Sequence, residues 1–203
     1  MPKIFFKGII KYIIGVDEAG RGPLAGPITV AGVVAPANFK FPVNSKLKLK
    51  DSKKLSPQQR EKWFQYLKTH PKISYAFSSV SAAVINRIGI QKSTKLAVAR
   101  VMRRLGGRRQ ATVLLDGSLY APKHYSQKTI VRGDETVPII SAASIVAKTA
   151  RDKKMLVFHK KFPQYGFSQH KGYGTAAHRR TLKKHGLSEI HRKSYCRTFL
   201  RKK

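Results

Sequence analysis

Acidic residues are scarce in this chain: nine of 203, against 42 Lys and Arg, for a formal charge of +33. That imbalance excludes a surface that repels polyanions; it fits one that attracts nucleic acid or an anionic membrane. Cysteine is nearly absent. A lone Cys196 excludes an internal disulfide framework and any Cys-rich zinc site. No apolar run approaches the roughly 20 residues needed to span a bilayer. Residues 4–14 are apolar but cut by Lys7 and Lys11, with no small-residue cleavage pattern, so they read as a first strand and not as a signal peptide. Repeats and low-complexity segments are also missing. What is present is a 41% apolar fraction, enough to bury a core in a chain of single-domain length. The expectation is a soluble, cytoplasmic, monomeric protein that meets nucleic acid and no membrane.

Residues 12–16 and 28–34 are β-rich and flank a Gly/Pro-rich turn at 20–27. Residues 38–55 read as a basic loop. Ser56-Pro57-Gln58-Gln59 is a helix start, with an N-cap, Pro at the first position and Gln three residues on; that helix should reach Thr69. Strands are expected at 73–80, 111–115 and 128–131. Ile90, Thr94, Ala97, Val98, Val101 and Leu105 share a helical face opposite Lys92, Lys95 and Arg103, and Gly106-Gly107 ends that helix. Helices are expected at 138–162 and 175–185, with a basic, irregular tail after Gly186. The order predicts an α/β fold, a mixed sheet flanked by helices, with 12–16 parallel to 111–115 and their ends at one edge.

The positions of the acids matter more than their number. Asp17-Glu18 follow one apolar strand, Asp116 follows another, and Asp134 follows a third. A single Asp at a strand end serves equally as a turn former or helix N-cap. Four such carboxylates at one rim repel one another and call for a cation. Together they carry about −4, which two Mg²⁺ or Mn²⁺ ions balance; such a pair, about 3.5–4 Å apart, activates water and stabilises a leaving oxygen at a phosphodiester. Of the other acids, Glu135 reads as a solvated neighbour, Asp152 as a helical ion-pair partner of Lys148, and Asp51 as paired with local lysines. His170, His178, His185 and His191 lack the spacing of a compact zinc site.

The block Val16-Asp17-Glu18-Ala19-Gly20-Arg21-Gly22-Pro23-Leu24-Ala25-Gly26-Pro27 resembles the signature of the type 2 ribonucleases H, ribonuclease HII. Companion blocks follow in the family's order: Asp51-Ser52-Lys53-Lys54-Leu55-Ser56, Leu114-Leu115-Asp116-Gly117, Gly133-Asp134, 141–148, Arg151-Asp152, and 165–173. The resemblance spans about residues 12–195. It implies a ribonuclease H-like fold with a small C-terminal helical extension: a catalytic domain at 1–165, and a basic extension at 166–203 packed on it. It also implies hydrolysis of the RNA strand of RNA–DNA hybrids and cleavage 5′ of ribonucleotides embedded in DNA, leaving 3′-hydroxyl and 5′-phosphate ends. The family's metal-binding carboxylates map onto Asp17, Glu18, Asp116 and Asp134. Its Gly-Arg-Gly element maps onto Gly20, Arg21 and Gly22, where close backbone approach suits reading a 2′-hydroxyl. Its junction-sensing tyrosine maps onto Tyr173. Lys53, Lys54, Ser144, Lys148 and Arg151 are phosphate-contact candidates; the last three share one helical face. Two rivals stand beside this reading. A junction-cutting DNA nuclease of the same fold would lack the Gly-Arg-Gly block and cut an all-DNA junction. A non-catalytic basic binder would need no divalent ion and tolerate Asp116→Asn.

Overall fold

The computed structural model describes residues 11–42, 55–106 and 110–200; Asp51, Lys53, Lys54 and Gly107, and most of the 4–14 stretch, lie outside the described residues. Five strands form one sheet: β1 (Tyr12–Ala19), β2 (Ile28–Pro36), β3 (Ser74–Val80), β4 (Ala111–Asp116) and β5 (Gln127–Ile130), in the order β3-β2-β1-β4-β5. β1 runs antiparallel to β2 and, as expected of 12–16 and 111–115, parallel to β4.

Strand alternation divides the core in two. Val30 and Val34 of β2, with Ile14 and Val16 of β1, pack with Ala97, Val98 and Val101 of α2 (Ala82–Arg104). Ala31, Val33 and Ala35 face the other way, onto α1 (Pro57–Thr69) and α4 (Pro138–Lys161). α4 lies so close to β1 that a Cβ on Gly15 would sit 2.2 Å from the Ile139 carbonyl oxygen. Ser56 closes α1 with a full capping box, reciprocated by Gln59.

Several elements depart from the sequence reading. β1 continues through Ala19, because its pairing with β2 extends to Ala19↔Thr29; Asp17 and Glu18 are therefore strand residues, not loop residues. α2 begins at Ala82, eight residues before Ile90: Ser81 caps it and it continues across a kink at Gly89, which breaks the helical period there. The one-turn helices α3 (Gly133–Thr136) and α5 (Phe167–His170) are too short for a periodic pattern. The tail after Gly186 is not irregular. His191 bridges to Ala25, and α7 (Lys193–Leu200) follows α6 (Ala176–His185). Leu24, Ala25, Met155, Phe167, Leu182 and Cys196 form a third apolar cluster that joins α4 and the tail to the loop after β1.

Candidate active site

The parallel pairing Val16↔Leu115 brings the ends of β1 and β4 side by side. Alternation then turns Asp17 and Asp116 to the α4 face, and Glu18 to the opposite face. Asp134 stands in the first turn of α3, where its amide donates to Asp116 Oδ1 (3.2 Å). Asp17 is buried (4% exposed), and its carboxyl is pushed well above the usual carboxylate range. Desolvation is the largest cause, with the Glu18 charge next; a hydrogen bond with Ser144 and the Glu18 amide (2.6 Å) lower it, while Asp116 raises it further. Arg21 Nε donates to Glu18 Oε1 at 2.9 Å.

Asp17, Glu18, Gly20, Arg21, Gly22, Asp116, Ser144, Lys148 and Tyr173 line one open cleft of about 470 Å³. Asp134 sits just behind it, buried. Arg60 of α1 also lines the cleft; nothing in the sequence distinguished it from the other basic residues. Among the described residues, no three carboxylates or imidazoles converge as ligands of one ion. Local donors turn the carboxylates instead: an amide for Asp17, another for Asp116, and Arg21 for Glu18. The donor set still fits hard divalent cations. It is all oxygen, and the Glu18 and Asp116 charges raise the proton affinity of Asp17, which a cation offsets.

Of the outlying acids, Asp152 takes the helical partner expected of it. Lys148 Nζ pairs with Asp152 (2.9 Å), Lys153 with Glu61 (3.1 Å) and Lys161 with Glu189 (2.7 Å). Lys148 also lies 6.0 Å from the centre of the Tyr173 ring, which is itself partly exposed. Arg151 is a correction. It shares the Ser144 and Lys148 helix but is fully buried, donating to the carbonyls of Pro27 (3.1 Å), Ala25 (3.3 Å) and Lys171 (2.9 Å). It ties the 20–27 loop to the Tyr173 loop and offers nothing to a phosphate. Glycine is required at Gly20, whose φ is +94° and where a Cβ would lie 2.1 Å from Arg151 Nε.

The histidines, whose spacing does not suit a compact zinc site, partly form a structural chain. The Ser188 amide donates to His191 Nδ1 (2.9 Å), His191 Nε2 lies 3.1 Å from His178 Nε2, and His178 Nδ1 lies 2.9 Å from the Tyr173 carbonyl. One set of neutral tautomers satisfies all three contacts: His191 donates to His178, which donates to Tyr173. Burial lowers both imidazoles to about 4.

A sheet of this order, carboxylates at its β1–β4 edge and a Gly-Arg-Gly turn against them narrow the comparison with known proteins. The profile of the ribonuclease HII family matches residues 14–198. The chain belongs to the ribonuclease HII family. It is 44% identical to ribonuclease HII of Desulfitobacterium hafniense over 184 residues, 91% of this chain and 68% of that one. It is also 44% identical to ribonuclease HII of Nitrosospira multiformis over 185 residues, 91% and 89% of the two chains. Among solved structures, ribonuclease H2 of Pyrococcus horikoshii superposes with a TM-score of 0.67 at 26% identity, covering 93% of this chain and 96% of that one. Ribonuclease HII of Archaeoglobus fulgidus, solved in complex with PCNA, gives 0.71 at 25% identity, covering 94% and 98%. The fold is thus ribonuclease H-like, and the chain is an endoribonuclease of a family that acts on RNA–DNA hybrids. No helix among the described residues is long and apolar enough to cross a membrane.

Proposed function

We propose that this endoribonuclease cuts on the 5′ side of ribonucleotides, including single ones embedded in duplex DNA, and leaves 3′-hydroxyl and 5′-phosphate ends. The observation that carries the reading is one cleft lined by Asp17, Glu18 and Asp116, by Gly20, Arg21 and Gly22, and by Tyr173. Asp17, Glu18, Asp116 and Asp134 would hold two divalent ions, Mg²⁺ or Mn²⁺; a ribonuclease HIII of the same fold, at 17% identity, has been solved with Mn²⁺. When bound, such ions lower the pKa of water and neutralise charge on the leaving oxygen.

The chain's own groups do the rest. The exposed main chain at Gly22 allows a sugar to approach closely, and amides there read a 2′-hydroxyl. Tyr173 offers a ring face to the sugar beside the cut. Ser144 orients the Asp17 carboxyl, and Lys148 and Arg60 lie where phosphates would pass. Lys53 is assigned the same phosphate role from its sequence block. The extension at 166–203 contributes Tyr173 to the catalytic unit of 1–165, and the chain acts as a cytoplasmic monomer.

The test is cleavage of a labelled DNA duplex carrying one ribonucleotide, with Mg²⁺, Mn²⁺ or EDTA, beside an all-DNA control. A single metal-dependent cut 5′ of the ribonucleotide, with the control intact, is expected. Folded protein that binds the duplex but cuts in neither metal would overturn the reading.

A further inference from the structure

Arg192 is fully buried, and its three fork nitrogens all meet main-chain carbonyls: Nε to Gly26 (3.0 Å), Nη1 to Arg21 (2.8 Å) and Nη2 to Gly20 (2.6 Å). Arg151 lies beside it, also fully buried, on the Pro27 and Ala25 carbonyls of the same loop and on the Lys171 carbonyl of the Tyr173 loop. Neither guanidinium has a carboxylate partner among the described residues. Burying two cations together, without a counter-ion, is costly. A neutral, well-packed side chain would build the same turn at lower cost, so the fork geometry itself requires explanation.

A trans peptide points its C=O and N–H in opposite directions. Holding the Gly20 carbonyl inward therefore turns the Arg21 amide outward, and holding the Arg21 carbonyl inward turns the Gly22 amide outward. Neither amide has a hydrogen-bond partner among the described residues, and all three residues line the carboxylate cleft. The segment bearing Arg192 is itself fixed. Asn86 of α2 brackets it, donating to the His191 carbonyl (3.0 Å) and accepting from the Lys193 amide (2.9 Å). The Arg192 amide donates to Leu24 (2.8 Å).

We propose that Arg192 is a positioning residue for ribonucleotide recognition: by pinning the Gly20 and Arg21 carbonyls, it aims the Arg21 and Gly22 amides into the cleft as paired donors. This rests on the function proposed above. The C-terminal segment is then part of the specificity apparatus, although it is far from the carboxylates in sequence.

The test compares wild type with Arg192→Lys, which keeps the charge but loses the planar fork. Turnover on the single-ribonucleotide duplex should fall at least about tenfold in kcat, as for other groups that orient a contacting residue. Affinity for an all-DNA duplex should change less than about threefold, since phosphate contacts set it. Wild-type turnover by Arg192→Lys would overturn the proposal. Should that variant fail to fold, amide resonances of ¹⁵N-labelled wild type decide. Arg21 and Gly22 should shift on adding the ribonucleotide duplex without divalent metal, and not on adding the all-DNA duplex. Wild type that cleaves with those two resonances unmoved overturns this role alone; wild type that does not cleave overturns the function on which it rests.

Discussion

Two clusters of like charge flank the 20–27 loop, and the chain treats them oppositely. Arg151 and Arg192 are buried beneath the loop, and its own carbonyls take up their N–H groups. Asp17, Glu18 and Asp116 line the cleft above it, where a few local donors leave Asp17 with a strongly raised proton affinity. The cationic cluster is met from within by main-chain carbonyls, with Arg151 Nη1 left without a partner among the described residues, and it builds shape. Under the proposed function the anionic cluster is incomplete until divalent ions bring positive charge from outside. In a chain of +33, that incompleteness marks the chemistry more clearly than the basic surface does.

Breaking each side should have different consequences. The largest effect belongs to Asp116→Asn: cleavage should fall by more than about 10³-fold, with duplex affinity within a few-fold, because charge stabilisation is lost while the basic surface is unchanged. Cleavage and binding falling together would place Asp116 in the fold and not in the chemistry. Arg151→Ala should act on stability instead. It leaves three carbonyls without their donor, costing about 3 kcal/mol and lowering Tm by roughly 6–12 °C. An unchanged Tm would show that the loop does not depend on its guanidinium.

The smallest effect is a pH dependence. His178 and His191 stay neutral in the fold down to about 4, whereas the unfolded rings take up protons near 6.5. The unfolded state therefore binds more protons in this window, and stability falls on acidification from 6.5 towards 4 by about 1.4 kcal/mol per pH unit for the first proton. Asp17 works the other way, since its raised carboxyl makes the folded state the stronger proton binder above 3.8. Urea midpoints of Asp17→Asn between pH 7 and 5 isolate the imidazoles. A flat series would contradict the neutral chain linking His191 to Tyr173.

The sequence made the sheet and the acids legible for a physical reason. The apolar runs just before Asp17 and Asp116 are readable without a fold, Asp134 follows the strand at 128–131 by a short turn, and Ser56-Pro57-Gln58-Gln59 carries its cap within four residues. Arg192 and His178 were hidden because their roles are defined by carbonyls and rings distant in sequence. Arg151 was misassigned because helical spacing placed it beside Ser144 and Lys148, while Gly20 and Gly26 left room for it to turn beneath the loop. Arg60 had no local signal at all.

We propose that the carboxylate rim is a cation site left incomplete by its own protein. Thermal melts of wild type and Asp17→Asn, with and without Mn²⁺, test it most directly. Without metal the variant should melt higher, because it removes a buried carboxyl that disfavours its charged form. With saturating Mn²⁺ the order should reverse. Wild type should gain roughly 5–10 °C, equivalent to about 2.7 kcal/mol at a hundred times the dissociation constant, and the variant little. Equal Mn²⁺ shifts in both proteins, or a variant that melts lower without metal, would contradict the account.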